Sequence, residues 1–468
     1  MNKKCQVFTP PKYVKRLLDN IGYRKNLYGM KVAENSCGDG NVLVEIVERY
    51  ILDAIREKIP LNTIRQGLET DIYGAEIDEI HFIKCIDRLD EIALKYSISN
   101  IKWNIFYGDF LKQNITEKFD FVIGNPPYIS YLEMDMNLRE YLRENFTVCK
   151  KGKFDICYAF IEAGIKSLNP TGKLAYLIPG NIFKNQFANE LREFMLPHLK
   201  NICDYTSSKL FKDKLTSSAI IICEKNNICQ KLMYHDVINK KSFNINKNSL
   251  NDKWQFKQIQ PTYLGKTRFG DLFNVSSTVA TLYNKAFIVG EFSLNNNTLC
   301  VEDYQLELKG LKKAVSPRSL NYKKEEYVIF PYYYESGKLC RYSEMEFEKN
   351  FPEIKRYLMQ YYDKLKERDN DKGISWFEYG RSQALAHLNQ KKLLVSTLIT
   401  NGLKVYLLDK DTIPTSGLYI VPKKQAKLSE AKKILESQHF FEYVKSIGVI
   451  SNGNSFRISP KDIMNYQF

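Results

Sequence analysis

The sequence has little from which to build a metal site or a disulfide scaffold. Its ten cysteines are scattered without a CxxC pair, and its five histidines (His81, His198, His235, His387, His439) are far apart. That pattern argues against a structural zinc site, predicts no metal, and suits a reducing cytoplasm, where thiols stay free. Long apolar runs are missing too. Stretches such as 219–223 fall far short of the ~20 residues that cross a bilayer. Behind its lysines the opening Met1-Asn2-Lys3-Lys4-Cys5-Gln6 has no apolar core, so neither a secretion signal nor a membrane partner is expected.

What the sequence has in quantity is length and positive charge. Its 468 residues are too many for one ordinary domain and predict two or three. Lys and Arg number 69 against 54 Asp and Glu, a net charge of +15. Residues 1–250 hold 36 basic and 30 acidic side chains and residues 251–468 hold 33 and 24, so the excess is denser in the second half. Such a balance points to a polyanionic partner, although a lysine-rich surface also serves plain solubility.

The first half alternates strands and helices. Strands are predicted at 31–34, 71–76, 101–107, 119–123 and 173–178, and helices at 42–59, 80–95 and 156–168. That alternation argues for an α/β fold, a doubly wound, mostly parallel sheet with helices on both faces. Residues 229–250, rich in Asn and Lys with short apolar runs, read as a linker. Beyond them a helix at 352–368, strands at 392–399, 404–408 and 417–421, and helices at 429–438 and 440–447 read as α+β.

Three features of the first half carry chemistry. Asn35-Ser36-Cys37-Gly38-Asp39-Gly40-Asn41 follows a strand and opens a helix, where glycines let a ligand approach the backbone. It is not a dinucleotide fingerprint. The third glycine is missing, and the next strand-end acid, Glu76, comes 36 residues after Gly40 rather than the ~20 expected. Glu76 and Asp109 each close a predicted strand, where a carboxylate accepts from ribose hydroxyls or an adenine amine, or simply caps the next helix. Asp78 reads as such a cap and Asp120 as a strand-entry residue. The most informative feature is Asn125-Pro126-Pro127-Tyr128, directly after a strand. Its prolines fix the backbone and remove competing N–H groups. The Asn125 side-chain oxygen and the Pro126 carbonyl can then both accept from a planar NH₂ group, with the Tyr128 ring to stack on a base.

With these motifs in this order, the sequence resembles the adenine-N6 DNA methyltransferases of type II restriction–modification systems, of the TaqI-like kind. The resemblance covers roughly the first 225 residues: Val7-Phe8-Thr9-Pro10-Pro11, the glycine turn, Glu76, Asp109, the 125–128 segment, Lys153-Phe154-Asp155, Leu177-Ile178-Pro179-Gly180-Asn181, then Phe211 and 214–222. It implies the class I methyltransferase fold and S-adenosylmethionine as cofactor, with a catalytic domain over 1–228 and an α+β target-recognition domain over 251–468. Thr9, Pro11, Glu34, Ser36, Gly38 and Gly40 would surround the methionine and sulfonium part. Glu76 would take the ribose, Asp109 the adenine amine, and Phe110 would pack on the ring. Asn35 stands where the family often has proline. Asn125, Pro126 and Tyr128 would hold the target adenine, with Phe211 on its other face or edge.

The segment 375–383 resembles the family's specificity domain. Double-stranded DNA is the implied partner, along with a cognate endonuclease for the same site. Arg318, Arg381, Gln383, Asn452, Asn454 and Arg457 are the polar candidates for contacting it. The resemblance also implies in-line attack by a flipped-out adenine, with no covalent intermediate, so Cys37, Cys149 and Cys157 are not expected to act as nucleophiles. Methylases of protein glutamine or of RNA bases share the 125–128 motif, but usually lack both the Phe-Thr-Pro segment and a long basic C-terminal domain. A fused nuclease is a further alternative. With methylase motifs beginning at residue 7, none is expected before them, and no carboxylate–lysine cluster after residue 230 stands out.

Overall fold

The computed structural model describes residues 9–205, 218–256, 265, 267–295, 297–423, 425–451 and 455–468, and the chain divides into two units, 1–260 and 261–468. The first unit opens with α1 (Pro11–Ile21), β1 (Val32–Glu34), α2 (Asn41–Arg56), α3 (Leu61–Asp71), β2 (Ile72–Glu76) and α4 (Glu79–Leu94). Next come β3 (Asn104–Tyr107), β4 (Phe119–Gly124), α5 (Met136–Asn145), α6 (Ile156–Ser167) and β5 (Leu168–Pro179). It closes with α7 (Asn189–Met195), β6 (Leu199–Asp204), β7 (Ser218–Glu224), β8 (Lys231–Asp236) and β9 (Lys241–Asn246).

Among the described residues the strands form a nine-stranded sheet in the order β3-β2-β1-β4-β5-β7-β6-β8-β9. Neighbours from β3 to β5 are parallel, and β7 runs against both β5 and β6. The sheet is covered on both faces, as the α/β alternation predicts. On β5, Leu174, Tyr176 and Ile178 join the core beneath α6, whereas Ala175 and Leu177 join the one beneath α1 and α2. Burial on both faces is why these strands read as continuous apolar runs. Strand order reverses between β1 and β4, and open α/β sheets bind ligands beyond the carboxyl ends of strands at such a switch point. Glu34, Glu76 and Gly124 are the last residues of β1, β2 and β4, so the chemistry-bearing segments all begin there.

Residues 229–250 are not a linker. β8 pairs in parallel with β6, and β9 returns antiparallel beside β8, so both extend the sheet. Leu232, Tyr234 and Ile245 are buried, while Lys231, Ser242, Asn244 and Asn246 alternate with them on the exposed side. The polar half of that alternation gives the segment its linker-like composition. Trp254 then stacks on Phe183 with ring centroids 5.8 Å apart, and Phe256 stacks on Tyr234 at 4.5 Å. The first unit therefore runs past residue 250.

The second unit is α+β. One sheet orders Phe273–Ser277, Leu418–Pro422, Lys392–Val395 and Val405–Leu408; another orders Ile288–Val289, Glu326–Ile329, Leu311–Val315 and Ile413–Pro414. The helix predicted at 352–368 is broken into Pro352–Met359 and Tyr362–Lys366, and the strand at 392–399 into Lys392–Val395 and Leu398–Ile399, which join different sheets. Lys392 is fully buried and donates to the carbonyls of Leu388, Gln390, Asp409 and Lys410 at 2.8–3.2 Å, which ties down the start of its strand. Burial lowers its pKa to about 8.

Candidate active site

A cavity of about 420 Å³ lies at the switch point. Its polar wall comes from the ends of successive strands. After β1, Glu34 is 3% exposed and accepts the Leu43 N–H at 3.1 Å. Burial pushes its pKa well above the usual carboxylate range, and the nearby Glu76 and Asp39 push the same way. After β2, Glu76 ties two turns together: one oxygen accepts the Gly38 N–H at 2.8 Å, the other the N–H groups of Ile77 and Asp78 at 3.0 and 2.9 Å. An ionised carboxylate offers about four lone-pair sites, so Glu76 keeps capacity for one more donor. After β3, Asp109 caps a 3₁₀ turn by accepting the Leu111 N–H at 3.0 Å, and Phe110 is buried behind it.

After β4, the 125–128 segment forms the adjoining wall. The Tyr128 hydroxyl lies 2.8 Å from the Leu177 carbonyl and 2.5 Å from Asn125 Oδ1, which fixes both side chains against β5. Burial holds the Tyr128 hydroxyl protonated, its pKa raised well above the ordinary phenol range. Ser36 Oγ reaches the Asn125 carbonyl at 3.5 Å and links the glycine turn to this segment. The Asp155 carboxylate accepts the Cys157 N–H at 3.0 Å as the cap of α6, whose Ile156 and Phe160 complete the wall.

Of the residues singled out from sequence, Thr9, Glu34, Ser36, Gly38, Glu76, Asp109, Phe110, Asn125, Pro126 and Tyr128 all line this one cavity. Pro11 and Gly40 do not. Pro11 is exposed at the first turn of α1. Gly40 has φ +81° and faces α4, where a Cβ would stand 2.9 Å from Cys85 Sγ. The close approach that its glycine permits is therefore between loop and helix. Asp78 does cap α4, through the His81 N–H at 3.2 Å, and lines the cavity as well. Asp120 sits within β4 and accepts the Lys31 N–H at 2.7 Å.

Sequence reading missed Asn35, Ile77, Glu133, Met134 and Leu138 as lining residues. Asn35 and Ile77 flank motif residues, and that adjacency was the signal available. Phe211, Asn452 and Asn454 lie outside the described residues. Arg318 and Arg457 are exposed, whereas Arg381 is engaged by Asp371 at 2.9 Å and Asp369 at 2.8 Å, and Gln383 also donates to Asp371. Among the described residues, no group of three or more His, Cys, Asp and Glu could hold a metal ion, and no helix is long and apolar enough to cross a membrane.

Residues 42–211, which contain most of this wall, match the Eco57I restriction-modification methylase family. Over that span the N-terminal unit is similar to these methylases. The type II restriction enzyme and methyltransferase RM.Eco57I of Escherichia coli is 24% identical over 513 aligned residues, covering 88% of this chain and 51% of that protein. The type II methyltransferase M.BstVI of Geobacillus stearothermophilus is 30% identical over 254 residues, covering 50% of this chain and 45% of its own. The chain thus spans about half the length of the curated relatives it matches. In fold it is similar to the type IIL restriction-modification enzyme MmeI, solved in complex with DNA. The TM-score is 0.62 at 12% identity, over 97% of this chain and 65% of that one. The mostly parallel sheet with helices on both faces is the α/β arrangement expected from the sequence.

Proposed function

We propose that the protein is a site-specific DNA methyltransferase that uses S-adenosylmethionine to methylate the N6 of a flipped-out adenine, within a restriction–modification system of the bacterial cytoplasm. The observation that carries this reading is one cavity shared by three strand-end carboxylates and the 125–128 segment. The carboxylates suit a cationic, hydroxyl-bearing cofactor and would repel a polyphosphate.

S-adenosylmethionine, when bound, supplies an electrophilic methyl group on a sulfonium. The chain's own residues bind and orient. Glu76 has a lone pair left for a ribose hydroxyl, and Asp109 for an adenine amine. Glu34 offers a compensating charge to a cation in a buried setting, where such pairing counts most. Thr9, Ser36 and Gly38 shape the wall around the methionine part, and Phe110 packs against the ring. On the target side, Asn125 and the Pro126 carbonyl accept from the exocyclic amine, which favours its pyramidal, nucleophilic form. Flipping a base costs a few kcal/mol, and stacking on Tyr128 and Phe211 returns roughly 1–3 kcal/mol per base. Catalysis is then positioning and polarisation. Double-stranded DNA is the partner, with Arg318 and Arg457 as candidate phosphate contacts in the second unit.

The test is methyl transfer from labelled S-adenosylmethionine to mixed unmethylated DNA, followed by single-molecule sequencing for modified bases. N6-methyladenine in one short recurrent motif is expected; label in RNA or protein, or on cytosine, would overturn the reading. Asn125→Ala should lose most transfer while binding cofactor as the wild type does, and near-normal turnover would remove Asn125 from the mechanism. A second reading, that the protein also cuts DNA, is suggested by RM.Eco57I, a restriction enzyme and methyltransferase that aligns with 88% of this chain. Incubation of plasmid DNA with the protein and Mg²⁺ tests it, with a cognate endonuclease as a separate protein being the alternative.

A further inference from the structure

The turn leaving the 125–128 segment carries an apolar tip. Leu132 is 74% and Met136 69% exposed, while Ile129 and Met134 on the same turn are buried in the cavity wall. A single exposed leucine is ordinary; this one is held out by a braced backbone. Arg139 Nε donates to the Tyr131 carbonyl at 2.8 Å, its guanidinium reaches the Leu132 carbonyl at 3.4 Å, and it covers the Tyr131 ring at 4.5 Å. Arg143 donates to the Tyr131 hydroxyl at 2.8 Å, and the ring meets buried Phe154 edge-on at 5.3 Å. Glu133 accepts from the N–H and hydroxyl of Ser130 at 3.0 and 2.6 Å. These bonds fix the turn on both sides of Leu132 and leave its side chain in solvent. Ser130 also pairs with Asp155, which brings the exposed Lys150, Lys151 and Lys153 segment towards the same turn.

An apolar tip beside a target-base cavity, with Glu133 and Asp135 on its own turn and the exposed lysines on the adjoining 150–153 segment, matches what a duplex presents when one nucleotide has left the stack: an apolar gap flanked by charged phosphates. Proteins that open base steps insert such side chains between them. We infer that Leu132, supported by Met136, is a wedge that enters the gap left by the flipped nucleotide, with the neighbouring lysines facing the flanking phosphates. This inference rests on the reading of the chain as a DNA base methylase.

The test compares single-turnover methyl transfer by the full chain and by its Leu132→Ala variant. Two duplexes carry the site identified by sequencing, one fully paired and one abasic opposite the target, where less pairing and stacking must be broken. On the paired duplex the variant should lose on the order of tenfold, and on the abasic duplex it should come within about twofold of wild type. Leu132→Met should restore most of the loss. Equal rates on the paired duplex overturn the wedge, and so does an equal loss on both duplexes, since a turn that only shapes the cavity would fail on either. Inactivity of the wild type on every DNA tested would count against the methylase reading itself, and the wedge would fall with it.

Discussion

At Glu34 the cost of building the site is concentrated in one carboxylate. It lies buried at the end of β1 with a single backbone donor at 3.1 Å, and burial raises its pKa well above the usual range. A raised folded-state pKa makes protonated Glu34 a stabilising contribution at acid pH, lost as pH rises and the carboxylate ionises. A cation in the cavity reverses that balance by pairing with the ionised form. Glu34→Gln keeps an acceptor for the Leu43 N–H and removes the charge. The variant should therefore bind S-adenosylmethionine on the order of tenfold more weakly, equivalent to about 1.4 kcal/mol. Its affinity for the uncharged thioether S-adenosylhomocysteine should fall less, and the ligand-free protein should unfold at no lower temperature. Calorimetric titration with both ligands checks this. An unchanged ratio of the two affinities would mean that Glu34 does not read the sulfonium charge.

Among the elements, α6 is where the site and the stability of the fold meet. Its cap, Asp155, accepts the Cys157 N–H at 3.0 Å beside the 125–128 side of the cavity, and burial raises its pKa to about 6. The unfolded aspartate titrates near 3.8, so protonation of the folded state stabilises it fully below that value, and the contribution is lost as pH rises through about 6. Asp155→Asn still caps the helix but carries no charge to desolvate. It should gain up to about 3 kcal/mol over wild type at pH 8 and roughly half of that at pH 5, read from urea midpoints between pH 5 and 8. A loss at pH 8 would show that the helix terminus needs the charge. Elements of this kind were legible because their physics is local: the acids at strand ends, the Asp78 cap and the rigid 125–128 turn each declare themselves in a few residues. α3 was not, having only Leu61, Ile64 and Leu68 as large apolar positions. β8 and β9 were hidden because half of a two-residue alternation is mostly polar, and the pairing of β8 with β6 is remote in sequence. Gly40 was expected to let a ligand approach the backbone, but it lies outside the cavity and its close neighbour is Cys85, set by how α4 packs.

For the whole molecule, the site and the charge make separable demands on solution conditions. Both units are basic: residues 1–260 hold 38 Lys and Arg against 31 Asp and Glu, and residues 261–468 hold 31 against 23. Which basic residues meet phosphate is not written in sequence, since Arg381 and Arg318 look alike there while only Arg381 is held by two aspartates. DNA binding that neutralises phosphates releases counterions, so its logarithm should fall linearly with the logarithm of salt concentration. With six to ten contacts the loss is roughly 10³–10⁵ between 50 and 200 mM. S-adenosylmethionine, as the proposed small ligand of buried carboxylates, would be screened far less. Fluorescence anisotropy with duplex DNA and calorimetry with the cofactor, across the same salt series, should give a steep line and a nearly flat one. A flat DNA response would place the affinity in base and apolar contacts and leave the net charge of +15 serving solubility. A steep cofactor response would mean that the cavity carboxylates sit in solvent, contrary to the burial of Glu34.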